Sequence, residues 1–157
     1  MSDRRARILV IDDDENIRKV VYAILQDKGY EVDTAGSGNE AITKTQKEHY
    51  DLMLVDIRLP DMEGTEVLTR IHDTVPRIRK LIVTGYPTLQ NAVTAVNQGA
   101  DAYIMKPFDV EKMLLTIEEQ LEKQKQDRKY SEDRVAEFIE ARVKELGKKE
   151  SEKKDQC

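Results

Sequence analysis

The sequence predicts an α/β protein with a doubly wound, five-stranded parallel sheet that helices cover on both faces. Five short runs of apolar and β-branched residues alternate with five helical patterns, and short loops join them. Such alternation is typical of parallel sheets, because a crossover helix must return the chain between successive strands. Polar clusters follow three of the predicted strands, at the sheet edge where open α/β proteins carry their chemistry.

The predicted strands are short and rich in Val, Ile and Leu. They are expected at residues 7–11, 30–35, 51–56, 80–84 and 101–105. The run Leu52-Met53-Leu54-Val55 is apolar throughout, which favours a central strand covered on both faces.

The predicted helices show apolar residues at helical spacing and are bounded by capping residues. They are expected at about 15–28, 37–48, 65–73, 88–98 and from 109 onwards. Asp14, Ser37 and Asp109 can cap helix starts, and Glu40 completes a capping box with Ser37. Gly29 and Gly99 are natural helix ends.

The last part of the chain has a different character. Residues 122–157 contain 11 Lys and Arg and 10 Asp and Glu, which is typical of a solvated segment. We expect a packed domain over 1–125 and a charged helical extension over 126–157. A second helix is predicted to start near Ser131 and stop at Gly147, before a disordered tail at 148–157. One face of that helix carries an apolar stripe: Val135, Phe138, Ile139, Val143 and Leu146.

Bulk composition narrows the class of protein. The chain has 157 residues, a net charge of −5 and one cysteine, Cys157. The acidic balance argues against a nucleic-acid-binding surface, and a single thiol builds neither a disulfide framework nor a metal site. No apolar stretch approaches the roughly 20 residues that a transmembrane helix needs, and no signal peptide is evident. We therefore expect a cytoplasmic protein without nucleic-acid or membrane partners.

Acidic residues after the first and third strands predict a metal site. Asp12, Asp13 and Asp14 are adjacent, and neighbouring carboxylates repel each other unless a cation is present. Asp14 is interpreted as a helix cap, whereas Asp12 and Asp13 favour metal binding because Asp56 can complete the site. The alternative is that these carboxylates are merely solvated. Mg²⁺ binds few carboxylates, keeps several waters and contacts phosphate oxygens, so it is the expected ion.

Asp56 can itself act as a nucleophile towards phosphorus, because carboxylates form acyl phosphates. Phosphoryl transfer needs cations beside the moving group, and Lys106 can supply one. A cis bond between Lys106 and Pro107 would be one way to aim the ammonium inward. Thr84 offers a hydroxyl to a phosphoryl oxygen, and Gly85 leaves room for it. Thr84 could equally be an ordinary strand-end residue.

Four segments resemble the signatures of the receiver domain of two-component response regulators. They are Ile11-Asp12-Asp13-Asp14, Val55-Asp56-Ile57-Arg58-Leu59-Pro60, Val83-Thr84-Gly85-Tyr86 and Tyr103-Ile104-Met105-Lys106-Pro107-Phe108. The match covers about residues 6–122 in the right order and spacing. The resemblance implies a flavodoxin-like fold with strand order 2-1-3-4-5. It also implies that a histidine kinase donates a phosphoryl group to an aspartate with Mg²⁺.

The resemblance assigns roles at the acidic cluster. Asp56 matches the phosphoacceptor and Asp13 a direct metal ligand. Asp12 matches a ligand acting through water, and the backbone carbonyl of Arg58 matches the third protein ligand.

The resemblance also assigns a switch. Thr84 and Lys106 match the pair that binds the phosphoryl group, and Tyr103 matches the aromatic switch residue. The alternative for Tyr103 is simple packing with its hydroxyl at the surface. Arg58 and Tyr86 occupy variable positions and are large enough to shield the phosphoryl group, so we expect a long-lived phosphorylated state.

The output is expected to be contact with other proteins, because the residues that follow the receiver region are fewer than a DNA-binding domain needs. We expect a stand-alone regulator, not an enzyme. Its expected partners are a histidine kinase and a downstream protein target, and a second copy of the chain is a further candidate. One alternative is a phosphorelay intermediate that passes phosphate to a histidine phosphotransfer protein. Another is a metal-dependent phosphatase, disfavoured because Arg58 stands where a second acid is usual.

Overall fold

The computed structural model of the chain describes residues 5–71, 77–85 and 88–155, without the side chains of 128, 131 and 148–155. Its strands are β1 Arg7–Ile11, β2 Glu31–Ala35, β3 Leu52–Asp56, β4 Arg79–Thr84 and β5 Ala102–Met105. They form one sheet in the order β2-β1-β3-β4-β5, and every neighbouring pair is parallel. The predicted architecture and strand order are confirmed.

The helices of the described residues are α1 Glu15–Asp27, α2 Gly38–Lys47, α3 Gly64–Arg70, α4 Leu89–Asn97 and α5 Val110–Asp155. The predicted caps at Asp14 and Ser37 are confirmed, but the Glu40 carboxylate accepts from the amide of Gly36 at 2.9 Å and not from that of Ser37 as a capping box requires. Asp14 accepts hydrogen bonds from first-turn amides of α1, and Ser37 accepts one from the amide of Glu40 in α2. Gly29 and Gly99 follow α1 and α4 with φ of 92° and 97°, a left-handed conformation that favours glycine.

Each face of the sheet has its own apolar core, because successive strand residues point to opposite faces. On one face, strand residues such as Ile8 and Leu54 pack with apolar residues of α1 and α5. On the other face, residues such as Leu9 and Val55 pack with apolar residues of α2, α3 and α4. The sheet is therefore doubly wound, and its strands deliver their carboxyl ends to one common edge.

The C-terminal helix differs from the sequence-based expectation. No new helix starts near Ser131 and none stops at Gly147, since α5 continues as one helix to Asp155. The segment contains no proline, and Glu, Lys, Gln and Arg, which favour helix, dominate it. Gly147 is not among the glycines with positive φ, so it does not act as a helix stop. The side chain of Ser131 lies outside the described residues.

The chain divides into two compact units, Met1–Gln124 and Lys125–Cys157. Gln124 is buried and fastens α5 within the first unit. Its side-chain amide donates to the carbonyl oxygens of Asp51 and Arg77, at 2.9 Å each. The second unit carries the apolar stripe, and all five of its residues are more than half exposed (Val135, Phe138, Ile139, Val143 and Leu146). Among the described helices, none has the length and apolarity needed to cross a bilayer.

Candidate phosphoryl-transfer site

Four strands deliver polar side chains to the carboxyl edge of the sheet. Asp12 follows β1, Asp56 ends β3, Thr84 ends β4 and Lys106 follows β5. These strands are neighbours in the sheet, so the four residues meet although 94 positions separate the first from the last. In the sequence, polar residues at the ends of apolar strands indicated this site, and the parallel topology brings these residues together.

Lys106 joins the two buried carboxylates. Its Nζ lies 2.8 Å from Oδ2 of Asp12 and 3.1 Å from Oδ2 of Asp56. The peptide bond between Lys106 and Pro107 is cis, and the ammonium points to the carboxylates. Both carboxylates thus share one cation inside a site that is largely shielded from water.

Three carboxylates form a cluster that can hold a metal ion. One oxygen each from Asp12, Asp13 and Asp56 lies within 4.8 Å of the others. Asp12 and Asp56 are buried while Asp13 is exposed, so the cluster has a closed side and an open side. Three hard oxygen donors with access to water fit a magnesium ion. Asp14 does not belong to the cluster in function, since its carboxylate accepts from the amides of Asn16 and Ile17.

Burial and charge set the protonation of this site. Burial of Asp56 and the nearby charge of Asp12 raise the pKa of the Asp56 carboxyl, against the opposing effect of Lys106. Burial lowers the pKa of the Lys106 ammonium, but its hydrogen bond to Asp12 and the charges of both carboxylates outweigh burial and raise it. Lys106 therefore stays charged, and Asp56 has a strong electrostatic reason to bind a further cation.

Thr84 and Gly85 line the same edge. Thr84 is fully buried, and its carbonyl accepts a hydrogen bond from the Lys106 amide at 2.7 Å. A Cβ added to Gly85 would lie 3.9 Å from Cβ of Lys106, which is ordinary contact. Within the described part of the chain, a side chain at 85 would therefore make no close contact, and space remains beside Lys106.

Arg58 begins the loop between β3 and α3. Its amide donates to Oδ1 of Asp56 at 3.3 Å, and the residue is exposed. The loop closes on itself through an antiparallel bridge between Arg58 and Glu63 and a 3.2 Å bond from the amide of Leu59 to the carbonyl of Met62. This closed loop fixes the backbone that carries the expected carbonyl ligand. Tyr86 lies outside the described residues.

Gly64 is a site residue that sequence reasoning missed. A Cβ at this position would lie 2.1 Å from the carbonyl oxygen of Asp56 and 3.0 Å from Cα of Ile57. The amide of Gly64 also donates to the carbonyl of Ile57 at 2.8 Å. Only glycine lets α3 start this close to the phosphoacceptor candidate. The Pro-Asp-Met-Glu-Gly run signals a turn, but nothing local reveals what the glycine touches.

Tyr103 lies on β5 and packs against the core under α2, α3 and α4. Its hydroxyl is buried, and no hydrogen-bond partner for it is found among the described residues. The ring thus packs as the alternative expects, but its hydroxyl is not at the surface. A polar group buried without a partner costs free energy, so the present position of the hydroxyl is unfavourable. The switch role itself stays a prediction.

Comparison with known proteins agrees with this geometry. A family model described as the response regulator receiver domain matches residues 8–118. Transcriptional regulatory protein ZraR of Klebsiella oxytoca is 40% identical over 121 residues, which are 77% of this chain and 27% of that protein. Alginate biosynthesis transcriptional regulatory protein AlgB of Pseudomonas putida is 36% identical over 120 residues, with 76% and 27% covered. The chain thus spans about a quarter of the length of these relatives.

Solved structures show the same fold. A CheY-like response regulator receiver domain protein from Methanospirillum hungatei is 44% identical with a TM-score of 0.76, covering 79% of this chain and 99% of its own. Response regulator protein TrrA of Thermotoga maritima, solved in complex with Mg²⁺ and BeF, is 33% identical with a TM-score of 0.66. That match covers 73% of this chain and 98% of TrrA.

Proposed function

The chain belongs to the response regulator receiver family, and on that premise we propose that Asp56 accepts a phosphoryl group from a histidine kinase. The observation that carries the proposal is the shared lysine: one ammonium contacts the carboxylates of Asp12 and Asp56 at 2.8 and 3.1 Å. A nucleophilic carboxylate with a fixed cation beside it suits transfer of an anionic group.

In the proposed reaction, an Oδ atom of Asp56 attacks the phosphorus of a kinase phosphohistidine. The new P–O bond forms as the P–N bond breaks, and the imidazole nitrogen leaves with the bonding electron pair. Lys106 neutralises charge on the transferring oxygens, and Thr84 is proposed to donate a hydrogen bond to one of them. Burial of Asp56 excludes competing water from one side of the attacking carboxylate.

The proposed cofactor is Mg²⁺, held by Asp12, Asp13, Asp56 and the backbone carbonyl of Arg58. When bound, this ion would offset the charge of the carboxylates and of the phosphoryl oxygens. Two findings support it: the three carboxylate oxygens lie within 4.8 Å of each other, and the similar TrrA was solved with Mg²⁺ and BeF.

A phosphorylation assay tests the proposal. Incubation with Mg²⁺ and phosphoramidate should modify the wild type at Asp56, and mass spectrometry detects the added phosphoryl group. Asp56→Asn and Asp13→Asn should lose it. Asp14→Asn is the matched control, because asparagine also caps helices and the Asp14 carboxylate accepts from the amides of Asn16 and Ile17 in α1. Equal labelling of Asp56→Asn and wild type would contradict the proposal.

The lifetime of the phosphorylated state is a separate proposal. Arg58 is exposed beside Asp56 and offers no carboxylate or amide to orient an attacking water. We therefore expect the purified phosphoprotein to lose phosphate slowly, and Arg58→Glu to lose it faster. Equal loss from both proteins would reject a role for this position.

For the output we propose protein contacts through the exposed stripe of α5, with a second copy or a downstream protein as partner, and no catalytic turnover of the chain's own. Exposure of 67% at Phe138 and 63% at Val143 supports this. The expected absence of a nucleic-acid partner stays a prediction, because the relatives named as transcriptional regulators extend well beyond the matched quarter.

A further inference from the structure

We propose that Asp61 is a positioning residue for the metal site, and that it couples occupancy of that site to the start of α2. The inference rests on the proposed function, since it concerns the loop whose Arg58 carbonyl would bind Mg²⁺. Asp61 touches neither the cluster nor the phosphoacceptor. It acts by holding in place the loop that lies between the acidic cluster and α2.

The carboxylate of Asp61 accepts two hydrogen bonds from the first turn of α2. Oδ1 accepts from the amide of Gly38 at 2.9 Å and Oδ2 accepts from the amide of Asn39 at 2.8 Å, across more than 20 residues of sequence. Both oxygens are used, and each satisfies an amide that the helix cannot pair internally. A negative charge is also favoured at this end of the helix dipole. Because both oxygens accept a bond, the contact is bidentate and fixes the orientation of the loop tip on α2 as well as its distance from the helix.

A second, apolar contact lies beside the first. A Cβ added to Gly38 would lie 2.5 Å from Cγ of Met62, so the missing side chain of Gly38 provides the space that Met62 occupies. Met62 is half-buried and packs against the core on this face. Polar and apolar contacts of successive loop residues therefore meet the same turn of α2.

The loop itself transmits position from Asp61 to Arg58. The bridge between Arg58 and Glu63 and the bond from Leu59 to Met62 close it into a compact unit. Gly64 holds one end of this unit against the carbonyl of Asp56. Asp61 holds the tip against α2. A loop fixed at both ends presents its carbonyl in one direction, whereas loss of the Asp61 bonds leaves the tip held by the apolar contact of Met62.

Loss of the Asp61 bonds to α2 should therefore weaken Mg²⁺ binding without removing a metal ligand. Residues that orient metal ligands typically change metal affinity by about 10–100-fold when mutated. We expect Asp61→Ala to lower Mg²⁺ affinity by about tenfold, at the lower end of that range. Asp61→Asn, which keeps one acceptor oxygen, should fall between wild type and Asp61→Ala. Coupling is reciprocal, so Mg²⁺ should also protect the amides of Gly38 and Asn39 from exchange.

The experiment is Mg²⁺ titration by calorimetry on the full chain, with amide hydrogen exchange of Gly38 and Asn39 measured with and without Mg²⁺. Ser37→Ala is the matched control. Ser37 caps the same helix through the amide of Glu40 at 3.1 Å but makes no bond to the loop. Both variants should lower the melting temperature, and only the Asp61 variants should weaken Mg²⁺ binding.

The outcomes separate the two proposals. Unchanged Mg²⁺ affinity in Asp61→Ala, or an equal loss in Ser37→Ala, overturns the positioning role while the phosphoacceptor function stands. Absence of Mg²⁺ binding in wild type overturns both. If Asp61→Ala does not fold, Asp61→Asn and the exchange of the Gly38 and Asn39 amides in wild type still decide, because Mg²⁺-independent exchange excludes coupling.

Discussion

At the scale of single residues, Asp56 combines burial with charge in a way that lowers stability. The residue is only 8% exposed and its carboxylate lies near Asp12, and both facts raise the pKa of that carboxyl. A raised folded-state pKa means that the ionised form is less favourable in the folded protein than in the unfolded one. The cost is absent in acid and appears as pH rises through the raised pKa. Sites of reaction commonly carry such a cost.

We therefore predict that Asp56→Asn melts at a higher temperature than wild type at pH 7 in EDTA. The variant removes a buried charge that repels Asp12, and each 1 kcal/mol gained corresponds to about 2–4 °C in a chain of this size. Near pH 3 the difference should shrink, because both proteins are then uncharged at 56. Thermal unfolding at both pH values measures this, and a lower melting temperature for the variant at pH 7 would refute it.

Gly64 gives a steric prediction at the same scale. Gly64→Ala places a methyl 2.1 Å from the carbonyl oxygen of Asp56, which the backbone can relieve only by moving. We expect a loss of about 1–3 kcal/mol in the free energy of unfolding. Gly85→Ala is the control, since among the described residues its Cβ meets only Cβ of Lys106, at 3.9 Å. Urea denaturation compares them, and equal stability of the two variants would contradict the steric argument.

At the scale of elements, most boundaries followed from local signals. Caps such as Asp14 and Ser37 and the left-handed glycines 29 and 99 act within a few residues, so a sequence reveals them. The acidic cluster was also predictable, because parallel topology sends all strand ends to one edge. The roles of Gly64 and Asp61 were not, since their partners lie in the folded structure rather than nearby in the chain.

In the C-terminal helix, local signals predict a start and a stop that the structure does not have. Residues 130–131 and 147 match start and stop signals, yet α5 runs through both. Capping residues are options that a helix uses only where the flanking chain leaves it, and here strong helix formers continue on each side. Ser131 and Gly147 can start and stop a helix, but the helix propensity of the residues around them outweighs these signals here.

This interpretation predicts the effect of changing Gly147. A glycine inside an exposed helix costs about 0.5–1 kcal/mol relative to alanine. Gly147→Ala should therefore increase helical content, and a Cβ there meets no described atom within 4 Å. Circular dichroism of the full chain during heating measures it. Decreased helicity would indicate that Gly147 ends the helix after all.

Gln124 is the second element-level test. Its buried side-chain amide donates to the carbonyl oxygens of Asp51, before β3, and Arg77, before β4, at 2.9 Å each. Gln124→Leu keeps the volume but removes this donor from both carbonyls, of which that of Asp51 still accepts from the Arg79 amide at 3.0 Å, and we expect a cost of about 1–3 kcal/mol. Urea denaturation should show this loss, and the exposed Gln126→Leu is the control. Equal stability of the two variants would mean that water replaces the amide without cost.

At the scale of the whole molecule, the two units differ in how they treat apolar residues. The first buries them in two cores, and the second leaves five of them on one exposed stripe. A covered stripe would stabilise the second unit, and a second chain is the simplest cover available in pure protein. The proposed output thus makes a prediction about molecular mass.

Light scattering should detect self-association that Ile139→Ser weakens, since this substitution places a polar group in the stripe. Lys144→Ser on the polar side of the same helix is the control and should leave the mass unchanged. Beryllofluoride with Mg²⁺ should shift the wild-type mass and leave Asp56→Asn as it was. A monomer under all conditions would exclude a second copy and leave a downstream protein as the proposed partner.

The shared lysine has one more consequence, for the choice of ion. Three carboxylates and one ammonium leave the site with two uncompensated negative charges. A divalent ion restores neutrality in a single step, whereas a monovalent ion leaves a residual charge in a partly buried space where charge is expensive. Cellular K⁺ should therefore compete poorly even at large excess, and the valence of the ion, more than its abundance, should decide what the site holds.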